Sequence, residues 1–128
     1  MELETKLYIL DDNREKFMGI GGLWLLQKLG EGNSLRAAAL SMGLSYSKAY
    51  GMVTHAEEAL GRPLVDRKRG GASRSGVALT PFATEYIALY LDFQTKAKAA
   101  AEREYRVFEE EIKELMKKDG TGENEFHD

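Results

Sequence analysis

The stretch from Ser34 to Gly61 constrains this chain more than any other. It opens Ser34-Leu35-Arg36-Ala37-Ala38-Ala39-Leu40-Ser41-Met42-Gly43-Leu44-Ser45 and continues with Ala49, Val53, Ala56 and Leu60 on one helical face. Ser34 and Ser45 are N-cap residues, and Gly43 and Gly61 are helix stops with Pro63 just beyond. The spacing predicts a short helix, a tight turn and a second helix. Ala37, Ala38 and Ala39 are small enough to let the two helices approach closely, and Gly43 permits the sharp turn between them.

The flanks extend this pair. Ile20, Leu23, Trp24, Leu26 and Leu29 recur near helical spacing, which predicts a preceding helix over Phe17–Leu29, weakened at its start by Gly19, Gly21 and Gly22 and ended by Glu31-Gly32-Asn33. Leu7-Tyr8-Ile9-Leu10, stopped by Asp11-Asp12-Asn13, reads as one strand. Pro63-Leu64-Val65 and Val77-Ala78-Leu79 bracket a glycine-rich tip that holds Arg67, Lys68, Arg69 and Arg74, the pattern of a hairpin. Thr80-Pro81 then supplies a cap and a first-turn proline. The helix they open can run to Lys117, and its 37 residues would span roughly 55 Å, longer than a domain of this size can bury. Tyr86, Tyr90, Phe93, Ala97, Ala101, Tyr105, Phe108, Ile112 and Leu115 step by three and four along it, a coiled-coil rhythm with one stutter near Ala101. The expected fold is mainly α with a small β-hairpin: a winged helix-turn-helix domain over 1–80, a long dimerisation helix over 81–117 and a disordered polar tail over 118–128.

Charge is distributed unevenly. Residues 1–32 hold four basic and six acidic side chains, 33–80 seven and three, and 81–128 seven and twelve, giving −2, +4 and −5 and the overall −3. A basic middle suggests an anionic partner for the middle alone. The first turns Ser34-Leu35-Arg36-Ala37 and Ser45-Tyr46-Ser47-Lys48 point the same way, because a cation at the positive end of a helix forfeits roughly 0.3–1 kcal/mol that an external phosphate would restore. The plainer explanation is that Arg36 and Lys48 simply reach into water. With no cysteine and only His55 and His127, there is no disulfide framework or thiolate site and little basis for a histidine metal centre or catalytic triad. No apolar run reaches the roughly 18 residues of a membrane span. The amino terminus lacks the pattern of a secretory signal, which makes a cytoplasmic location the expectation.

The run Asn33 to Tyr50 resembles the amino-terminal domain of the molybdate-responsive ModE transcription regulators, whose pattern is roughly G-S-I-x-x-A-A-x-x-M-G-M-S-Y-x-x-A-W. Gly61-Arg62-Pro63-Leu64-Val65, Arg67, Gly70-Gly71, Gly76 and Leu79-Thr80 are similar to that family's second block. The resemblance covers about residues 5–95, with both blocks in order and at the right spacing. The Leu-Gly, Pro-Leu and Leu-Thr punctuation is more distantly similar to LysR-type DNA-binding domains. The chain departs at Tyr50, where the family has tryptophan, and at Pro81-Phe82-Ala83, where the glycine after Leu-Thr is absent. The sequence stops where the family's molybdate-binding domains would begin, so no molybdate site and no cofactor is carried over.

These readings converge on a non-enzymatic transcription regulator that binds double-stranded DNA as a homodimer. Ser45, Tyr46, Ser47, Lys48, Tyr50, Gly51 and Thr54 are the expected groove-facing residues. Ser34, Arg36, Arg67, Lys68, Arg69 and Arg74 are the expected backbone and wing contacts, and the helix seam from Tyr86 to Ile112 is the expected dimer interface. Gly19-Ile20-Gly21-Gly22-Leu23-Trp24 is no dinucleotide fingerprint, because Trp24 replaces its third glycine. Gly70–Gly76 lacks a P-loop ending. Glu57-Glu58 and Glu109-Glu110-Glu111 read as solvated faces, and Trp24 and the tyrosines at helical spacing, Tyr46 excepted, read as core before they read as base-stacking platforms. The competing function is a winged-helix protein-interaction module without DNA binding. A small-molecule sensor between the dimer helices has no polar constellation behind it.

Overall fold

The computed structural model describes residues 1–67 and 77–119. In chain order the elements are β1 (Ile9–Leu10), β2 (Lys16–Met18), α1 (Ile20–Gly30), α2 (Leu35–Ser41), α3 (Tyr46–Leu60), β3 (Val65–Asp66), β4 (Ala78–Leu79) and α4 (Pro81–Lys118). They divide into two compact units, Lys6–Phe93 and Met1–Thr5 with the chain from Gln94 onward, so the division falls within α4.

The helix boundaries follow the local chemistry. The Ser34 hydroxyl accepts from the N–H of Ala37 and the Ser45 hydroxyl from that of Lys48, both at 3.0 Å. The Thr80 hydroxyl accepts from Ala83 N–H at 3.1 Å and donates to the Pro63 carbonyl at 2.8 Å, which ties the start of α4 to the connection between α3 and β3. Gly43 and Gly61 adopt φ values of 69° and 68°, the left-handed region that a side chain resists.

α1, α2 and α3 pack around one core built from Leu23, Leu25, Leu26 and Leu29 of α1, Ala38 and Ala39 of α2, and Ala49, Val53 and Ala56 of α3. β3 pairs antiparallel with β4 through Val65↔Leu79 and Asp66↔Ala78, and Leu64 and Val65 close the core from that side. Ala83 and Tyr90 of α4 are buried in the same core.

Five expectations change. The first helix begins at Ile20 rather than Phe17. Phe17 and Met18 instead belong to β2, which pairs antiparallel with β1 through Ile9↔Met18 and Leu10↔Lys16 across a bulge. The amino-terminal strand is therefore half of a second hairpin. Its turn is fixed by Asp11 Oδ1, which accepts from the N–H groups of Asn13 and Glu15 at 2.9 Å, and by Arg14 at φ 63°. Trp24 is 52% exposed, because the leucines of α1 fill the core without it. Tyr90 is 3% exposed within a single chain and is therefore core rather than seam. Glu57 is no solvated side chain. It is 15% exposed, and its Oε2 accepts from the N–H groups of Leu64 at 2.8 Å and Val65 at 3.3 Å. The expected wing tip at Lys68, Arg69 and Arg74 and the expected tail beyond Asp119 lie outside the described residues.

Candidate nucleic-acid interface

α3 buries Ala49, Val53 and Ala56, and at about 100° per residue its opposite face carries Ser47, Gly51 and Thr54. Ser45, Tyr46, Ser47, Lys48, Tyr50 and Gly51 are exposed and Thr54 is half-buried. A Cβ placed on Gly51 would meet nothing within 4 Å, so the middle of this face is open to close approach. The Thr54 hydroxyl is turned back onto its own helix, donating to the carbonyls of Tyr50 at 3.1 Å and Gly51 at 3.2 Å.

One edge of the face is a ladder of aromatic and guanidinium groups. The Arg36 guanidinium from α2 lies 4.6 Å from the Tyr46 ring centroid, Tyr46 stacks on Tyr50 at 6.1 Å, and Arg67 lies 5.5 Å from the Tyr50 centroid. Stacking on a ring orders a guanidinium while leaving its N–H edge free to donate. Arg67 also meets Glu57 Oε1 at 3.4 Å. Sequence reasoning assigned Arg36 and Arg67 to DNA separately, whereas the structure joins both to α3 through its two tyrosines. Ser34 is half-buried and its hydroxyl is committed to capping α2.

The other edge of α3 meets the amino-terminal hairpin. His55 Nε2 lies 2.9 Å from Asp11 Oδ2 and 3.9 Å from Glu15 Oε2. The ligand-type atoms of Asp11, Glu15 and His55 fall within 4.8 Å of one another, a spacing that could enclose a small divalent ion, although the Asp11–His55 hydrogen bond gives them a structural task without one. Sequence reasoning missed this contact and the neighbouring Lys16, whose Nζ sits 4.3 Å from the Tyr8 ring centroid. The available signal was the Asp11-Asp12-Asn13 turn followed by the apolar pair Phe17-Met18. Among the described residues no helix is long and apolar enough to cross a membrane.

Residues 22–84 match the family described as bacterial regulatory helix-turn-helix protein, lysR family. The chain is also 37% identical over 73 residues to the molybdenum-pterin-binding protein MopB of Rhodobacter capsulatus, a match that spans 57% of this chain and 27% of that protein. The expected ModE-like and LysR-like character of the amino-terminal domain is thereby supported. Residues 22–84 are thus similar to the helix-turn-helix of bacterial regulatory proteins of the lysR family, and the match supports a DNA-binding regulator in general terms.

Proposed function

We propose that this chain is a sequence-specific, non-enzymatic transcription regulator of the cytoplasm that acts as a homodimer on an inverted-repeat DNA site. The observation that carries the reading is the Arg36–Tyr46–Tyr50–Arg67 ladder beside the open face at Gly51. It sets two oriented guanidinium groups along one rim of an exposed, hydroxyl-bearing helix, which suits a helix lying in a major groove with its rim against phosphates. Ser45, Tyr46, Ser47, Lys48, Tyr50, Gly51 and Thr54 then lie on the groove side of α3, with Ser47 and Gly51 nearest the base edges. Ser34, Arg36, Arg67, Lys68, Arg69 and Arg74 serve the backbone and the wing.

The homodimer reading is supported by the apolar side chains that α4 leaves uncovered. Phe93 is 48% and Phe108 54% exposed in the single chain. Tyr86, Ala97, Ala101, Tyr105 and Ile112 continue the same three-and-four spacing and lie half-buried. A two-fold dimer on an inverted repeat requires two copies of α3 one DNA turn apart, roughly 34 Å, or a multiple of it. The molybdenum-pterin binding named for MopB is a property of that protein.

The test is selection of bound fragments from random duplex DNA, followed by affinity measurements over a salt series. Enrichment of an inverted repeat, with affinity falling steeply with salt, is the expected result. Duplex binding that stays absent at low salt overturns it in favour of a protein-interaction module.

A further inference from the structure

An open cleft of about 510 Å³ lies against the side of α3 that Arg67 does not cover. Tyr8 and Lys16 line it from the amino-terminal hairpin, Gly21 from the first turn of α1, and Ser47, Lys48 and Gly51 from α3. Resting on the DNA reading above, we propose that this cleft receives a backbone phosphate of the DNA strand bordering the groove on that side, with Lys16 and Lys48 as its cations.

The argument begins with the helix. Around α3, Tyr46, Tyr50 and Glu57 fall to one side of the outward line through Ser47 and Gly51, and Lys48 and His55 fall to the other. A helix in a major groove about 12 Å wide has a phosphate wall on each side. The arginine ladder serves one wall. The cleft supplies the other, because its described lining includes Lys16 and Lys48 and no carboxylate.

The hairpin sorts its charges to make this so. Asp11, Asp12 and Glu15 line a different cavity of about 380 Å³ together with Glu58. Lys16, paired with Leu10 across the strands, is set on the cleft with its ammonium against the Tyr8 ring. His55 borders both cavities and is engaged by Asp11. The first turn of α1 adds to the same field, since it carries no acidic residue and Gly19 offers no side-chain cap. A Cβ on Gly21 would meet nothing within 4 Å, so the cleft is open at that point.

The experiment measures duplex affinity of the full chain over a salt series for the wild type, Lys16→Ala and Gly21→Asp, with thermal melting of each. A carboxylate at Gly21 fits the open space and suits the positive end of α1, so Gly21→Asp should melt no lower than wild type while repelling a phosphate. Lys16→Ala should make the log–log salt slope shallower by about 0.9 and weaken binding by the same factor for every duplex sequence. Gly21→Asp should weaken binding at least as much. Wild-type affinity and slope in both variants overturns the assignment while leaving the DNA reading intact. Absent wild-type binding at low salt overturns the DNA reading, and this assignment with it.

Discussion

Nε2 of His55, in the middle of α3, donates to Oδ2 of Asp11 at 2.9 Å and so fastens the turn of the amino-terminal hairpin to the helix that presents the candidate interface. The hydrogen bond from His55, followed by those from the N–H groups of Glu15 and Asn13, holds the Asp11 carboxyl below its ordinary value of 3.8. A carboxyl whose folded value is depressed stabilises the fold above its unfolded value, and that contribution is lost as pH falls through the folded value. The hairpin turn is therefore expected to lose amide protection at Asn13 and Glu15 as pH drops below about 3.8. Asp11→Asn should remove this acid step and lower protection already at neutral pH. Hydrogen exchange followed by NMR across an acid titration checks it, and identical profiles for the two proteins would contradict the link.

Glu57 separates fold from function at the opposite edge. Its Oε2 satisfies the N–H of fully buried Leu64, and its Oε1 meets exposed Arg67. Glu57→Ala orphans that N–H and should cost about 1–3 kcal/mol in urea unfolding. Arg67→Ala breaks an exposed ion pair and an exposed contact with the Tyr50 ring and should cost about 1 kcal/mol or less, while weakening duplex binding and making its salt dependence shallower.

What the sequence makes legible is local. Ser34, Ser45 and Thr80 cap helices because a hydroxyl reaches an N–H three residues on, a relationship contained within the pattern itself. The exposed face of α3 follows from the buried spacing of Ala49, Val53 and Ala56. Pairings across elements are not local, and those were missed. β2 is hidden because Phe17-Met18 continues the apolar rhythm of α1, and its turn depends on Arg14 taking a left-handed conformation normally left to glycine. Glu57 reads as solvated until the chain returns at Leu64 to bring it an N–H. The arginine ladder needs the approach of α2 to α3, which alanine spacing suggests but which does not single out Tyr46 as the ring beneath Arg36.

Ser45 tests whether the start of α3 meets phosphate. Ser45→Ala removes the acceptor for the Lys48 N–H and should destabilise the fold by about 1 kcal/mol. Ser45→Asp keeps a capping oxygen and adds a charge that suits the helix dipole, so stability should match or exceed wild type. Duplex binding should nevertheless fall, because the new carboxylate would confront the DNA backbone. Stable Ser45→Asp protein with unchanged DNA affinity would remove this helix start from the interface.

The last prediction concerns assembly. Phe93 and Phe108 are about half exposed in the single chain, and each lies beside a tyrosine on α4, Phe93 at 6.2 Å from Tyr90 and Phe108 at 6.2 Å from Tyr105. Uncovered aromatic surface repeated along a 38-residue helix favours pairing with a second copy. Sedimentation at micromolar concentration should therefore give about twice the 14.3 kDa chain mass. Phe108→Asp, a residue that is not among those forming the helix-turn-helix core, should yield a folded monomer that keeps its helical circular dichroism. That monomer should bind an inverted-repeat duplex far more weakly than the dimer while retaining affinity for a single half-site, because only the coupling between the two sites is lost. A monomeric wild-type mass, or a Phe108→Asp protein that still sediments as a dimer, would refute pairing through this face.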